Sequence, residues 1–492
     1  MTPTTFPAAK LLLAQRIELA IQAMAGAVKV SHLAAENQVS RKFIYQQKAK
    51  AVLALDEAFA QTTADDTVLF SLSVTKAWLQ QVSLALTLMC HSAYRGVVEF
   101  MRDILGVSIS VGSVHKLHQR ATQRAQELNQ AQDLSAIRVG LRDEIFHGNA
   151  PVLVGVDAAS TYCYLLAAEP HRDAETWAIH LLYLQGSRFN PEYLIADQGT
   201  GLRAGQAIVW TDKPCHGDVF HIARQCAELA NVLARMAQGA ASRLRDVENK
   251  MKEAKAKGVA HLYAVQLGQV RQAEAQMATL ARDIKTLTQW LNRDVLELAG
   301  PGLATRLELF DFVTDEIHAR EYMDPERIKK VRVALQNQRD DLLAFAAMLD
   351  EHLDCIAHAY EVPAYLVRQA CLLQRKPDTS CAFWQGWNPL CAQMGHKCHD
   401  VFQAVMQAMA QTPRCSSMVE NLNFRLRNYF TLRRQLGGEY LELLKFFLNH
   451  RTFMRSRVPE RVGKSPRQLM TGEAHSHWLT MLGFGSLQPQ RN

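Results

Sequence analysis

The sequence predicts a mixed, mainly α protein in which a small α/β core is split by a large all-α insertion and preceded by helical units. Three observations carry this. Short apolar runs bounded by turn formers, the mark of buried strands, gather between residues 151 and 197. Apolar steps of three and four run through residues 220–412, the mark of helices. Two segments ahead of residue 135 have the pattern of helices paired across a turn. At 492 residues the chain exceeds a single core, so three or more domains are expected.

The first unit, residues 12–60, has an apolar helix over 17–24, then Ser31-His-Leu-Ala-Ala-Glu-Asn-Gln-Val-Ser40 and Arg41-Lys-Phe-Ile-Tyr-Gln-Gln-Lys48. Ser31 and Ser40 can each cap a helix, and Leu33, Val39 and Ile44 are spaced to meet in a small core. Arg41, Lys42, Tyr45 and Gln46 are left outward, as in a helix-turn-helix whose second helix enters the major groove. A polar stretch at 61–67 then reads as a linker.

The second unit, residues 72–135, uses 94–105 as first helix, 106–110 as turn and cap, and 111–128 as candidate recognition helix. Val114, Leu117 and Ala121 face inward, leaving Ser113, His115, Lys116, His118, Gln119 and Arg120 for DNA. A plain helical hairpin accounts for either unit alone. Two in tandem ahead of a carboxylate-bearing core favour DNA recognition.

The core begins in residues 148–222. Pro151-Val-Leu-Val-Gly-Val-Asp157 and Thr161-Tyr-Cys-Tyr-Leu-Leu166 read as a hairpin through Ala158-Ala-Ser160, which brings Asp157 to the end of a central strand. Residues 174–185 have helical spacing, with Asp173 as cap. Tyr193-Leu-Ile-Ala-Asp197 is the next strand, and Gln198-Gly-Thr-Gly-Leu-Arg203 is the turn into a helix.

Residues 223–411 form the insertion. Leu244, Val247, Met251 and Ala254, then Val270, Ala273, Met277, Leu280, Ile284, Leu287 and Leu291, follow a coiled-coil seam, with Lys255-Ala-Lys-Gly258 as the turn of a helical hairpin. Phe383, Trp384 and Trp387 read as core. Cys381, Cys391, His396, Cys398 and His399 lack the paired Cys-x₂-Cys arms of a zinc site. Ten cysteines scattered along the chain, with no stretch reading as a signal peptide and no bilayer-length apolar run, predict a cytoplasmic protein with free thiols and no membrane partner.

The core resumes over 412–475. On a helix through Ser416-Ser-Met-Val-Glu-Asn-Leu-Asn-Phe-Arg-Leu-Arg-Asn428, the polar Glu420, Asn423 and Arg427 share one face while Val419, Leu422 and Leu426 turn to the core. Basic residues then recur from Arg425 through Arg433, Arg434 and Arg451 to Arg467, against few acids, which suits a phosphate backbone. The whole chain has 55 Lys and Arg against 48 Asp and Glu, a net charge of +7.

Asp157, Asp197 and Glu420 are the candidate catalytic and metal-binding residues. Mg²⁺ takes hard oxygen ligands and keeps several waters, so a few carboxylates suffice. Two such ions about 3.5–4 Å apart activate an attacking oxygen and stabilise a leaving one. Asp218 competes with Asp197 for the second position, and His221, Asn423 and Arg427 are auxiliary candidates for orienting phosphate or Glu420.

Gly155-Val-Asp157, Ile195-Ala-Asp-Gln-Gly199, Cys215-His-Gly-Asp-Val-Phe-His221 and the block from Val419 through Phe446-Phe-Leu-Asn-His-Arg451 to Gly463-Lys-Ser-Pro-Arg467 together resemble the DDE transposases of bacterial insertion sequences. The resemblance covers roughly residues 150–222 and 412–472. It implies a ribonuclease-H-like core, two Mg²⁺ ions (with Mn²⁺ able to substitute) and DNA as partner at both element ends and target. It also implies a homodimer or larger assembly in a nucleoid-associated location. That core has three antiparallel strands before its first helix, and the sequence shows two; either the third is very short or residues 176–183 supply it. A metal-dependent nuclease without strand transfer, or a catalytically silent regulator derived from a transposase, fits the same motifs.

Overall fold

The computed structural model describes residues 11–59, 72–197, 199–431 and 437–487; the 61–67 linker, Gln198, Arg433 and Arg434 lie outside the described residues. The chain divides into two compact units, with the boundary at Val74/Thr75.

The first unit holds α1 (Leu13–Ala25), α2 (Val30–Glu36) and α3 (Arg41–Phe59). Leu19, Ala23, Leu33, Ala34 and Ile44 form its core, with Val39 packed against them. Ser40 caps α3 by accepting from the Phe43 N–H at 3.1 Å. Ser31 caps nothing, because α2 begins one residue earlier, with Lys29 at its N-cap. Arg41, Lys42, Tyr45 and Gln46 are exposed along α3.

The second unit opens with α4 (Lys76–Leu88), α5 (Tyr94–Asp103) and α6 (Val111–Gln130). Gly106, at φ +65°, makes the turn, and Ser110 caps α6 by accepting from the Ser113 N–H at 3.1 Å. Leu117, Ala121 and Ala125 of α6 share one apolar cluster with the strand residues Val139, Leu141 and Val154, so this helix belongs to the same body as the sheet. Ser113, Lys116, Gln119 and Arg120 remain exposed, Arg120 with its guanidinium over the Phe484 ring. His118 does not. It is buried, one position around the helix from the solvent face, and shares a 2.9 Å hydrogen bond with Thr87.

The sheet is built from β1 (Val139–His147), β2 (Ala150–Asp157), β3 (Cys163–Ala168), β4 (Tyr193–Ala196) and β5 (Cys215–Gly217), with α7 (Ala174–Gly186) between β3 and β4 and α8 (Thr200–Val209) between β4 and β5. Its spatial order is β3-β2-β1-β4-β5. β2 runs antiparallel to β1 and β3, whereas β4 is parallel to β1 and β5 parallel to β4. The third antiparallel strand is therefore β1, nine residues long, and residues 176–183 are helical as their spacing implies. β1 is buried on both faces. Val139, Leu141 and Ile145 join the cluster beneath α6, while Gly140 faces Leu194 and Tyr164 on the other side. Gly148 and Asn149 close a two-residue hairpin, with His147 paired to Ala150.

After β5 the chain enters α9 (Val219–Ala256) and returns along α10 (His261–Trp290), the long hairpin of the insertion, turning at Gly258 with φ +75°. A π-helical turn over Leu291–Val295 leads to α11 (Leu303–Ala319), α12 (Pro325–Asn337), α13 (Arg339–Ala359), α14 (Ala364–Leu373), α15 (Cys381–Met394) and α16 (Cys398–Ala410). Two sequence expectations change here. Trp384 is half exposed, whereas Phe383 is core. Cys391 and Cys398 are joined as a disulfide, because a 3₁₀ turn at Gly395–Lys397 brings the ends of α15 and α16 to a Cα separation of 5.1 Å.

The chain then comes back to the sheet as α17 (Ser417–Phe430), α18 (Gly438–His450), α19 (Pro466–Thr471) and α20 (Trp478–Met481). Val419, Leu422 and Leu426 of α17, with Leu444 and Phe447 of α18, cover the same face of the sheet as α6. No described helix is long and apolar enough to cross a membrane.

The close packing of β2 against β3 gives a direct test. A Cβ on Gly155 would collide with the Tyr164 ring, while one on Gly96 in α5 meets nothing within 4 Å. Gly155→Ala should cost about 1–3 kcal/mol by overpacking. Gly96→Ala should stabilise by up to about 1 kcal/mol through helix propensity. Urea denaturation monitored by circular dichroism measures both.

Candidate metal centre

Strand parity decides which acids meet. Leu141 of β1 pairs with Ile195 of β4, and continuing this parallel register sets Asp143 beside Asp197. Side chains two residues apart share a face, so both carboxylates project from the side on which Leu141 and Ile195 are buried. Ala196 pairs with Gly217, which makes Asp218 the next residue in the row. Asp197 and Asp218 directly follow the carboxyl ends of the parallel strands β4 and β5, and Asp143, midway along the longer β1, lies beside them just past its paired stretch with β4, where an open α/β sheet leaves room for a ligand.

Two helices complete the site. α9 starts immediately after Asp218 and carries His221 on its first turn. Its Nε2 lies 4.0 Å from Asp143 Oδ1, 3.9 Å from Asp218 Oδ2 and 3.9 Å from Glu420 Oε1. α17 buries Val419 and Leu422 against the sheet, which places Glu420 at the rim and Asn423 beneath it. Asn423 Nδ2 donates to Asp143 Oδ2 at 2.7 Å. Asp143, Asp197 and His221 each bring a ligand atom to within 4.8 Å of the others, a set compatible with a divalent cation.

The electrostatics also favour a cation. Among the described residues no Lys or Arg forms an ion pair with the side chain of Asp143, Asp197 or Glu420. Burial is the main cause that pushes the Asp143 carboxyl up to about 7, and the charges of Glu420 and Asp197 push the same way. Asn423 Oδ1 is buried without a hydrogen-bond partner among the described residues, an acceptor left for water or a metal ion.

Asp157 does not join this centre. It pairs with Gly140, three residues before Asp143, which puts it roughly 10 Å away along the strand. Pairing with an even-numbered residue of β1 also turns it to the opposite face. There its Oδ2 accepts from the Ser160 N–H at 2.8 Å and from the Ser160 hydroxyl, closing the β2–β3 turn. Asp218 is likewise engaged, by Phe220 and Ser416, whereas the Asp197 carboxylate accepts one hydrogen bond among the described residues, from the Gly199 N–H at 2.8 Å.

The remaining basic candidates separate by exposure. Arg427 is exposed two turns beyond Glu420. Arg425 is partly buried, and burial with nearby Arg451 lowers its pKa. Arg451 lies over the Phe447 ring. A separate cleft of about 830 Å³ on the other face of β1 is lined by Glu144, Phe146, Arg172 and residues 199–201. Both of its carboxylates are already engaged, Glu144 accepting from Arg172 at 2.6 Å and from the Trp177 indole at 3.1 Å, and Asp173 capping α7 by accepting from the Thr176 N–H at 2.9 Å.

Asp143 is the member the sequence reading missed. Its strand carries Arg142-Asp143-Glu144 in mid-run, which hides the apolar pattern. The alternation of Val139, Leu141 and Ile145 ahead of a Gly-Asn turn was the available signal.

No protein-family model matches the chain, and no curated protein matches its sequence.

The raised Asp143 pKa means that the folded protein without metal keeps a proton that the unfolded chain releases near pH 4. Its contribution to stability therefore falls as pH rises from about 4 to about 7, by about 4 kcal/mol in all. Asp143→Asn should flatten this slope and melt higher than wild type at pH 8 without divalent ions. Added divalent ions should then raise the wild-type melting temperature and leave the variant's unchanged. Thermal melts from pH 5 to 8 decide; equal slopes in the two proteins would refute the assignment.

Proposed function

We propose that this protein is a DDE-type DNA transposase whose metal-binding carboxylates are Asp143, Asp197 and Glu420 on a ribonuclease-H-like core. The observation that carries the reading is Asp143 of β1 set beside Asp197 at the carboxyl end of β4, both met by Glu420 from beyond the helical insertion. Three antiparallel strands followed by a helix and a parallel strand agree with such a core.

When bound, a pair of Mg²⁺ ions, for which Mn²⁺ can substitute, supplies Lewis-acid stabilisation to the attacking and leaving oxygens of an in-line displacement at phosphorus. Asp143 and Asp197 stand at the spacing of neighbouring strands, about 4.8 Å, and would be the residues that hold the ions. Glu420 closes the site from α17. Asn423 holds the Asp143 carboxylate in one orientation, and His221 faces the carboxylates from α9.

Exposed Arg41, Lys42, Tyr45 and Gln46 on α3, and Ser113, Lys116, Gln119 and Arg120 on α6, are the proposed readers of the element's ends. Exposed Arg427, Arg455 and Arg457, in the basic last segment, are proposed to take DNA phosphates. Joining two ends to a target calls for a homodimer or larger assembly on nucleoid DNA.

Cleavage of DNA carrying the sequences that flank this coding region should require Mg²⁺ or Mn²⁺ and yield ends that join a target plasmid. Asp143→Asn, Asp197→Asn and Glu420→Gln should each lower the rate more than about 100-fold, beyond the usual cost of losing an outer-shell partner. Asp157→Asn should lower stability and leave cleavage close to wild type. Cleavage that never joins would mark a nuclease; activity surviving in Asp143→Asn would sink the carboxylate assignment.

A further inference from the structure

Asp218 is 1 % exposed and Ser416 is fully buried, yet they stand 198 residues apart in sequence, at opposite ends of the insertion. Asp218 Oδ1 accepts from the Ser416 N–H at 3.0 Å and from the Phe220 N–H at 2.9 Å. Its Oδ2 accepts from the Ser416 hydroxyl. One carboxylate therefore caps α9, which carries His221, and also holds the residue from which α17 starts.

The chain of bonds continues into the metal centre. The Ser416 carbonyl accepts the N–H of Glu420 at 3.1 Å, and the Val219 N–H donates to the Arg414 carbonyl at 3.2 Å beside it. Arg414 in turn donates to the Leu296 carbonyl and pairs with Glu297 at 3.1 Å, both in the insertion. The insertion thus leaves and re-enters the core through one buried knot. Hydrogen bonds to a buried carboxylate are among the stronger ones, and losing one partner strands the other.

We infer that Asp218 and Ser416 are positioning residues that set Glu420 and His221 against Asp143 and Asp197, and that the insertion is mechanically coupled to the metal centre through them. In this inference Asp218 acts through Ser416 and α9, its two oxygens accepting three protein hydrogen bonds. This rests on the reading of Asp143, Asp197 and Glu420 as metal ligands.

The test uses the full chain and three readouts: Mn²⁺ stoichiometry by electron paramagnetic resonance, kcat and KM for DNA cleavage, and amide exchange across 417–421. Ser416→Ala should reduce bound Mn²⁺ from two ions to one and lower kcat by about 10–100-fold, with KM for DNA unchanged. It should also speed exchange at 417–421. Ser416→Thr, which keeps the hydroxyl, should restore all three. Asp218→Ala should act in the same direction more strongly; if it fails to fold, the Ser416 pair still decides.

Ser380→Ala, which removes the cap of α15 far along the insertion, controls for general destabilisation and should keep two Mn²⁺ ions. Wild-type Mn²⁺ occupancy, kcat and exchange in Ser416→Ala, or an equal loss in Ser380→Ala, would overturn the inference. Wild-type protein that neither binds Mn²⁺ nor cleaves DNA would instead reject the functional reading. The exchange rates would still report whether the knot holds α17.

Discussion

β1 lies between an antiparallel neighbour and a parallel one, and its register with both decides what the rest of the molecule can present. Because a strand's side chains alternate with period two, sliding β1 by one residue would exchange the face of Asp143 for that of Arg142. The buried apolar residues on either side forbid the slip: Leu141 and Ile145 must pack under α6, α17 and α18, and Gly140 must leave room for Leu194 and Tyr164. The hydrophobic core thereby places a charge that it has no other reason to contain.

The acids of this sheet fall into two groups. Asp157 is held by Ser160, Glu144 by Arg172 and Trp177, and Asp218 by Phe220 and Ser416. Such carboxylates hold turns and helix ends in place. Asp143, Asp197 and Glu420 converge on His221 without a Lys or Arg ion pair among the described residues, and burial, with the charges of Glu420 and Asp197 adding to it, raises the pKa of Asp143. Folding concentrates negative charge at one strand edge, and a divalent cation is the simplest group that relieves it.

Arg142 shows the opposite solution one residue away. Fully buried on the other face, it meets the Gln206 side-chain carbonyl, the Cys215 sulfur and the Trp177 ring, and burial lowers its pKa. Neighbouring charges on β1 thus point to opposite sides of the sheet. Read as a linear string they look like a solvated turn, which is why the strand escaped a reading based on apolar runs. The helices of the insertion, the turn at Gly258, the cap at Ser40 and the inward face of α17 were legible because each depends on residues within a turn or two of one another. His221 and Asn423 were visible as polar residues in suggestive places, though not as neighbours of Asp143.

The sequence alone determined the helical and strand periodicities, the site of the insertion, the placement of Asp197 after a strand and of Glu420 on a helix, and the basic character of the last segment. These follow from local spacing and charge. Only the tertiary structure decided that Asp143 rather than Asp157 stands beside Asp197, that Asp218 ties Ser416, and that Cys391 meets Cys398. Those outcomes depend on strand register, on which face a residue occupies, and on contacts between residues as many as 198 positions apart. A one-residue change of parity reverses them, and no window along the chain records that parity until the strands pair.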